Sequence, residues 1–212
     1  MAILDDISQA VQIGKKKDVV ALVEQAVSEG VAPDEILNVA LIPAMDVVGD
    51  KFSKNEIFVP EMLVAARAMA AGTEILKPLL AQGGAEPLGK ACIGTVKGDL
   101  HDIGKNLVRM MMEGKGIEIH DLGVDVPAEA FVDYIKEHED LQLVCISALL
   151  TTTMPAMENT IKAIEEAGVR DRVKIMVGGA PITQEFADQI GADAYTGDAG
   201  SAAGKAAELL TA

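Results

Sequence analysis

Three short groups of polar and small residues follow three apolar runs in the second half of the chain. Asp99 and His101 lie in the stretch GTVKGDLHDIGK, residues 94–105, between the apolar run ACI and the helical pattern NLVRMMMEG. Ser147 follows a second apolar run, and the pair Gly178–Gly179 follows a third. A carboxylate two residues before a histidine can hold one ring nitrogen and make the other a better base. The chemistry open to such a histidine is proton transfer or metal ligation.

The local sequence leaves three interpretations of His101 open. It could be a turn residue that caps the following helix, a general base, or a metal ligand whose other ring nitrogen is held by Asp99. The other two histidines, His120 and His138, stand where solvated side chains are common, and a dedicated zinc site would need further ligands nearby. A metal bound by one protein ligand implies a cofactor that brings most of its own coordination.

The glycines near these residues favour the close approach of something large. Gly104 lies one helical turn after His101 and removes a side chain there. Gly178 and Gly179 permit close backbone contact or unusual backbone dihedral angles at the end of their apolar run. A lone Gly-Gly pair is otherwise typical of a tight turn.

Several hydroxyl side chains complete this set of polar residues. Ser147 could extend a relay by hydrogen bonding to Asp99. Thr151, Thr152 and Thr153 could offer hydroxyls to a polar group, or one of them could cap the helix that follows.

These residues belong to a region in which short apolar runs alternate with helical patterns. Five such runs alternate with five helices, which indicates a doubly wound parallel sheet. We predict a flavodoxin-like (Rossmann-type) α/β domain over residues 89–212, with strand order 2-1-3-4-5. Ligands of such sheets bind at the carboxyl ends of the strands, where the loops that carry the three groups would meet. The predicted strands are KACIGTV, IEIHDLG, LQLVCISAL, VKIMVGG and ADAYTG.

Residues 1–88 show helical periodicity instead, and predict a four-helix bundle with short connections. Pro43 should kink the third helix, and Pro60 suits the start of the fourth. The segment 81–89, AQGGAEPLG, has the composition of a linker. One predicted buried stripe, on the second helix, comprises Val20, Val23 and Val27.

Composition narrows the function further. The chain has 212 residues, a formal net charge of −15 and few aromatic residues, namely four Phe, two Tyr and no Trp. These values argue against binding to nucleic-acid phosphates and against base stacking. Cys92 and Cys145 lie in apolar runs and are predicted to be reduced and buried. The sequence has neither a signal-peptide pattern nor a membrane-spanning run, so we expect a cytoplasmic protein without membrane contact.

Taken together, the polar groups resemble the cobalamin-binding signature of corrinoid proteins: Asp99-x-His101-x-x-Gly104, then Ser147-x-Leu149, then Gly178-Gly179. The resemblance implies that His101 replaces the dimethylbenzimidazole base as the lower axial ligand of cobalt. It also implies that Asp99 and Ser147 complete a proton-linked relay, and that the displaced nucleotide tail enters a slot. The cofactor-binding residues implied in this domain are Asp99, His101, Asp102, Ile103, Gly104, Ser147, Leu149, Thr151, Thr152, Gly178 and Gly179.

The helical half resembles the cap that covers the upper corrin face in methionine synthase and in small methyltransferase corrinoid proteins. The resemblance is greatest over DKFSKNEIFVPEMLVAARAM. It implies that Phe58, beside Val59 and Pro60, contacts the upper face of the cofactor. Ordinary core packing is the alternative for Phe58.

The resemblance implies a methyl carrier in a multi-component methyltransferase system of one-carbon metabolism. Cobalt(I) would accept a methyl group from a substrate-specific methyltransferase, and methyl-cobalt(III) would donate it to tetrahydrofolate or coenzyme M through a second methyltransferase. A reductive activation protein is the third implied partner. Because a substrate-activating barrel takes about 250 residues, the chain would be a corrinoid subunit rather than a complete enzyme. The sequence leaves the donor open among methanol, methylamines, betaines and methoxylated aromatics.

Three other functions compete with this one. The small subunit of an adenosylcobalamin mutase shares the cobalt-binding signature, but radical chemistry uses a different covering domain. A cobalamin-dependent sensor or regulator would need a DNA-binding or signalling segment. A plain flavodoxin-like module could bind flavin or accept phosphate, although the acidic cluster of phosphate acceptors is missing at the first strand's end.

Overall fold

The computed structural model describes residues 2–83 and 87–212. The chain separates into two compact units, Met1–Pro87 with Glu113–Gly116, and Leu88–Met112 with Ile117–Ala212. Residues 84–86 of the predicted linker 81–89 lie outside the described residues, and residues 81–83 form the end of a helix.

The first unit is helical, as predicted. A π-helical turn, Ile36–Leu41, joins the third and fourth α-helical segments without a break. The predicted third helix is therefore present as α, π and α segments in succession. The α-helices are α1 (Ala2–Gln12), α2 (Lys16–Ser28), α3 (Pro33–Glu35), α4 (Ile42–Ser53) and α5 (Val59–Gly83).

Pro43 explains where this helix leaves α geometry. Proline has no N–H to donate, and its ring clashes with the carbonyl group four residues earlier, here that of Val39. The N–H of Ile42 donates to the carbonyl oxygen of Leu37, five residues back, which is the π-helical spacing. The wider turn directly precedes the proline, at the position where we predicted a kink.

The buried stripe of α2 differs by one position from the predicted one. Val19 and Val23 are fully buried, whereas Val20 and Val27 are only half-buried. A Cβ added to Gly72 of α5 would lie 3.0 Å from the side chain of Val19 and 3.4 Å from that of Val23. The close approach at Gly72 therefore determines which valines of α2 enter the core.

The second unit has the predicted topology. Among residues 87–212, five parallel strands are ordered β2-β1-β3-β4-β5, so the predicted order is confirmed. The strands are β1 (Gly89–Val96), β2 (Ile117–Val126), β3 (Leu143–Ser147), β4 (Lys174–Gly178) and β5 (Ala194–Tyr195). The helices are α6 (Ile103–Glu113), α7 (Ala128–Glu137), α8 (Met154–Glu166), α9 (Gln184–Gln189) and α10 (Ala199–Thr211).

The core of this unit lies between the sheet and its helices. Phe131 of α7 is fully buried, and a Cβ added to Gly94 of β1 would lie 2.8 Å from its ring, so the strand needs glycine there. Cys92 and Cys145 are free and buried, as expected. Burial raises the pKa of the Cys92 thiol to about 12 and also raises the pKa of Cys145, which keeps both thiols protonated near neutral pH.

No helix within the described ranges, 2–83 and 87–212, is both long and apolar enough to cross a membrane.

Candidate functional site

The ends of three neighbouring strands bring the predicted loops together. In the sheet register Thr95 of β1 lies opposite Ser147 of β3, and Ser147 lies opposite Gly178 of β4. The N–H of Ala148 donates to the carbonyl oxygen of Gly178 at 3.1 Å. The loops that follow β1, β3 and β4 therefore start side by side at the carboxyl edge, as predicted.

A tight turn places the loop after β1. The N–H of Asp99 donates to the carbonyl oxygen of Val96 at 3.1 Å, and Gly98, the third residue of the turn, has φ +86°, which favours glycine. The hydroxyl of Thr95, which is fully buried, donates to the carbonyl oxygen of His101 at 2.9 Å. This hydrogen bond holds the backbone of His101 against the end of β1. Sequence analysis did not predict it, because a threonine near the end of a strand is not a specific signal.

Asp99 and His101 form a hydrogen-bonded pair. The Oδ1 atom of Asp99 lies 2.6 Å from Nδ1 of His101 and also accepts the backbone N–H of His101 at 3.1 Å. Asp99 is fully buried, whereas the His101 side chain is 50% exposed. The pair therefore joins a buried carboxylate to a ring that a ligand can reach.

The second oxygen of Asp99 is bound by the loop after β3. Its Oδ2 atom accepts the N–H of Leu149 at 2.7 Å, the N–H of Leu150 at 3.3 Å and the hydroxyl of Thr153 at 2.8 Å. The carboxylate of Asp99 thus connects two loops through both of its oxygens.

These contacts keep Asp99 ionised. Burial by itself raises the pKa of the carboxyl group, but the hydrogen bonds from Leu149, His101 and Thr153 outweigh it and hold the pKa of Asp99 well below its ordinary value. An acceptor-only carboxylate facing Nδ1 requires the ring proton on Nδ1. In the neutral imidazole Nε2 then carries the lone pair, and this is the form that binds metals.

The structure has no hydrogen bond between Ser147 and Asp99 among its described residues. Across the described chain, the donors to the carboxylate of Asp99 are His101, Leu149, Leu150 and Thr153. Ser147 is the last residue of β3 and is held in the sheet ladder, while the following turn folds back over Asp99. Thr153 takes the place that we predicted for Ser147.

Thr153 is one of three threonines that the sequence offered as hydroxyl donors, but only Thr151 and Thr152 were predicted as cofactor-binding residues. Thr151 and Thr152 are exposed, whereas Thr153 is buried at the end of the 3-10 turn Thr151–Thr153. It stands at the N-cap position of α8, as expected for one of the three, but its side chain does not cap that helix. Its hydroxyl instead donates to Asp99 and to the carbonyl oxygen of Leu150.

Several large apolar side chains near the site are exposed. Two lie beside His101 in the sequence, and two lie on the loop that holds Asp99. Leu100 is 71% exposed and Ile103 is 73% exposed. Leu149 and Leu150, whose N–H groups hold Asp99, also have exposed side chains. Exposed apolar surface of this kind marks a binding site rather than a solvated turn. Leu100 and Leu150 were not predicted as site residues.

The remaining predicted residues of this domain lie on the same edge. Asp102 is exposed, and its carboxylate accepts the side-chain amide of Asn106 at 3.1 Å. A Cβ added to Gly104 would meet no atom within 4 Å, and one added to Gly178 would meet only the carbonyl oxygen of Thr196 at 3.9 Å. Both glycines therefore border open space.

Gly179 has the unusual backbone dihedral angle and the close backbone contact that the sequence predicted for the glycine pair. Its φ is +135°, and a Cβ there would overlap the carbonyl oxygen of Ala148. The close backbone contact that this glycine permits is with the chain's own loop after β3.

The donor set fits a metal that carries most of its own ligands. Throughout the described residues, no group of three or more His, Cys, Asp or Glu side chains is arranged to hold a metal ion. His101 offers one nitrogen, its tautomer is fixed by Asp99, and exposed leucine and isoleucine side chains accompany it. A cobalt ion in a corrin ring needs one such nitrogen and an apolar surface for the ring.

Phe58 lies in the helical unit, directly before α5. Its side chain is 63% exposed, and its N–H donates to the carboxylate of Glu61 at 3.2 Å. The alternative interpretation of Phe58 as a core residue is therefore wrong.

Comparison with known proteins gives matches to both halves of the chain. The family described as "B12 binding domain" matches residues 89–207, and a second family with the same description matches residues 3–77.

Relatives match nearly the whole chain. Dimethylamine corrinoid protein 1 of Methanosarcina acetivorans is 44% identical over 209 residues, which cover 98% of this chain and 97% of that protein. The trimethylamine corrinoid protein of Methanosarcina barkeri is 42% identical over 88% of this chain and 86% of that protein. The methanol:cobalamin methyltransferase complex of Methanosarcina barkeri superposes with a TM-score of 0.85 and 29% identity, over 99% of this chain and 80% of that chain. The chain therefore belongs to the corrinoid protein family, with B12 binding domains in both its helical and its α/β half.

Proposed function

We propose that this corrinoid protein is the methyl carrier of a methyltransferase system that uses dimethylamine. The observation that carries this proposal is the 44% identity with a dimethylamine corrinoid protein over almost the full length of both chains. The match to the trimethylamine relative covers less of either chain. The same matches disfavour a mutase subunit and a sensor.

In this proposal His101 binds cobalt through Nε2. When bound, the corrinoid supplies a cobalt centre that accepts a methyl group and later releases it. Asp99 keeps the proton on Nδ1 and fixes the ring plane, since its Oδ1 atom lies 2.6 Å from that nitrogen. Thr153 and the N–H of Leu149 hold the carboxylate in place through Oδ2.

The Asp99–His101 pair also suits the uptake of one proton. If Nε2 of His101 were free of metal, its lone pair would be able to accept a proton. The ionised Asp99 then stabilises the imidazolium, because opposite charges lie within hydrogen-bond distance. A proton held by the pair would therefore compete with a metal for Nε2 of His101.

The other predicted cofactor contacts remain part of the proposal. The open space at Gly104 and Gly178 suits the nucleotide tail, and the exposed Phe58 is the candidate for contact with the upper face. The further cofactor-binding residues that we propose are Asp102, Ile103, Ser147, Leu149, Thr151, Thr152 and Gly179.

We also propose the partners of the carrier. A substrate-specific methyltransferase would load it, in keeping with the relative that is part of a methanol:cobalamin methyltransferase complex. A second methyltransferase, which uses tetrahydrofolate or coenzyme M, would unload it, and a reductive activation protein would restore it. The chain would act in the cytoplasm as a subunit of this system.

The donor is tested by supplying the cobalamin-loaded, reduced protein with a dimethylamine-specific methyltransferase and dimethylamine. Parallel reactions use trimethylamine-specific and methanol-specific methyltransferases with their substrates, and His101→Ala serves as the control protein. Methylation of the bound corrinoid, followed by absorption, should be fastest with dimethylamine. Faster methylation with either other pair would overturn dimethylamine as the donor.

A further inference from the structure

Asp125, near the end of β2, has an unusual backbone conformation. Within the described ranges only two non-glycine residues have positive φ, Asn55 at 58° and Asp125 at 53°. The left-handed region is unfavourable for residues with a side chain, although Asp and Asn tolerate it best. Such conformations persist where the surrounding contacts require them.

Two hydrogen bonds join Asp125 to the turn that carries Asp99. The Oδ1 atom of Asp125 accepts the N–H of Gly98 at 2.7 Å. The N–H of Asp125 donates to the carbonyl oxygen of Asp99 at 2.9 Å. One residue of β2 therefore holds the turn at two consecutive residues.

The backbone and the side chain of Asp99 are thus held by different elements of the fold. Its backbone is held from β2 by Asp125, and its side chain is held by Leu149 and Thr153 of the loop after β3. Glycine would suffice at position 125 if only the left-handed backbone mattered. The aspartate adds the acceptor for Gly98.

We propose that Asp125 is a positioning residue for cobalt ligation: it clamps the turn after β1 so that Asp99 meets Nδ1 of His101. This inference rests on the proposed role of His101 as the metal ligand. Asp125 acts through the turn, because its two hydrogen bonds there go to the N–H of Gly98 and to the carbonyl oxygen of Asp99.

Three substitutions at Asp125 distinguish the contribution of its left-handed backbone from that of its carboxylate. Asp125→Ala removes both the acceptor and the tolerance of positive φ. Asp125→Gly keeps the backbone conformation and removes the acceptor, whereas Asp125→Asn keeps both. The matched control is Asp193→Ala, because Asp193 also accepts a backbone N–H at 2.7 Å, that of Ile175 near the start of β4.

The first readout uses hydroxocobalamin, with His101→Ala as the reference for lost ligation. Asp125→Ala and Asp125→Gly should bind it about tenfold more weakly, the low end of the effect of residues that orient a metal ligand. Their absorption spectra should shift towards that of His101→Ala. Asp125→Asn should stay within about twofold of the wild type, and Asp193→Ala should keep the wild-type spectrum.

The second readout uses the protein without cofactor. Amide hydrogen exchange at Gly98 should accelerate in Asp125→Ala and Asp125→Gly but not in Asp125→Asn. Wild-type affinity and spectrum in Asp125→Gly would overturn the proposal, even if Asp125→Ala fails to fold. A wild-type spectrum in His101→Ala would instead overturn the proposed function, and unchanged exchange at Gly98 would overturn the clamp independently.

Discussion

Asp99 Oδ1 lies 2.6 Å from Nδ1 of His101, two residues away, while Asp99 Oδ2 accepts the hydroxyl of Thr153 from the neighbouring loop. A single buried carboxylate therefore orients the exposed ring and anchors it to the loop after β3. Each contact leads to a separate expectation.

Asp99→Asn should weaken histidine ligation. The amide cannot hold the ring proton on Nδ1 as a carboxylate does, and it loses the charge that binds three donors from the loop after β3. We expect hydroxocobalamin to bind about 10-fold to 100-fold more weakly, measured by titration followed by absorption. Equal affinity in wild type and variant would contradict a role of Asp99 in orienting the ligand.

Thr153→Val and Ser147→Ala should behave differently. Loss of the Thr153 hydroxyl removes a hydrogen bond to a buried charge, which should lower the free energy of unfolding by about 2 kcal/mol. Ser147→Ala should change it by less than about 0.5 kcal/mol. Urea unfolding of the cofactor-free proteins measures both. A larger loss in Ser147→Ala than in Thr153→Val would reverse the assignment made from the structure.

Gly104→Ala and Gly179→Ala should have different effects on the stability of the cofactor-free protein and on hydroxocobalamin binding. A methyl group at Gly104 meets open space within helix α6, so the cofactor-free protein should gain about 0.5 kcal/mol while hydroxocobalamin binding weakens. At Gly179 the methyl group would overlap Ala148 and the backbone has φ +135°, so the protein should lose about 2 kcal/mol. Thermal unfolding and cobalamin titration test the pair. Unchanged binding by Gly104→Ala would remove Gly104 from the cofactor site.

The buried Lys105 predicts a pH-dependent stability. Its ammonium group donates to Asp121 at 2.5 Å, and its side chain is 1% exposed. Burial raises the pKa of Asp121, but the hydrogen bonds from Lys105 and Gly123 and the charges of Lys105 and Arg109 outweigh it and lower that pKa. The stabilisation is therefore present above the unfolded value of about 3.9 and is lost as the pH falls below it.

Asp121→Asn should accordingly destabilise the protein by about 3 kcal/mol at pH 7, because the buried ammonium of Lys105 loses its carboxylate partner and keeps the amide oxygen of Asn106 as an acceptor. Lys105→Met should lower the free energy of unfolding by less than Asp121→Asn does, because it removes the buried charge. The difference between wild type and Asp121→Asn should shrink between about pH 4.5 and about pH 2 in urea unfolding. A difference that stays constant over this range would show that the carboxylate charge does not contribute. The exposed pair Lys162–Glu158 provides a control, in which Glu158→Gln should have no measurable effect.

The alternation of short apolar runs with helices was sufficient to predict a parallel sheet, and the strand order was predicted because 2-1-3-4-5 is the flavodoxin-like arrangement for five such units. Pro43 likewise marked the irregular part of its helix. The buried residues of α2 were predicted one position out, because Val19 and Val23 pack against Gly72 of α5, which is distant in sequence.

At the site, spacing along the sequence predicted the hydrogen-bond partners within one loop but not those between two loops. Asp99 and His101 are two residues apart, so their contact was predictable. The choice between Ser147 and Thr153 depends on how the loop after β3 folds over Asp99, and spacing along the chain does not determine this. Asp125 was missed because its role comes from a left-handed backbone rather than from a motif.

The central claim is that His101 binds the cobalt of a corrinoid. Its most direct test is the absorption spectrum of the protein incubated with hydroxocobalamin and then desalted, beside His101→Ala. We predict that the wild type retains about one corrinoid per chain and that His101→Ala has a different spectrum, because the ring nitrogen has been lost as a ligand. Identical spectra, or no retained corrinoid in the wild type, would contradict the assignment.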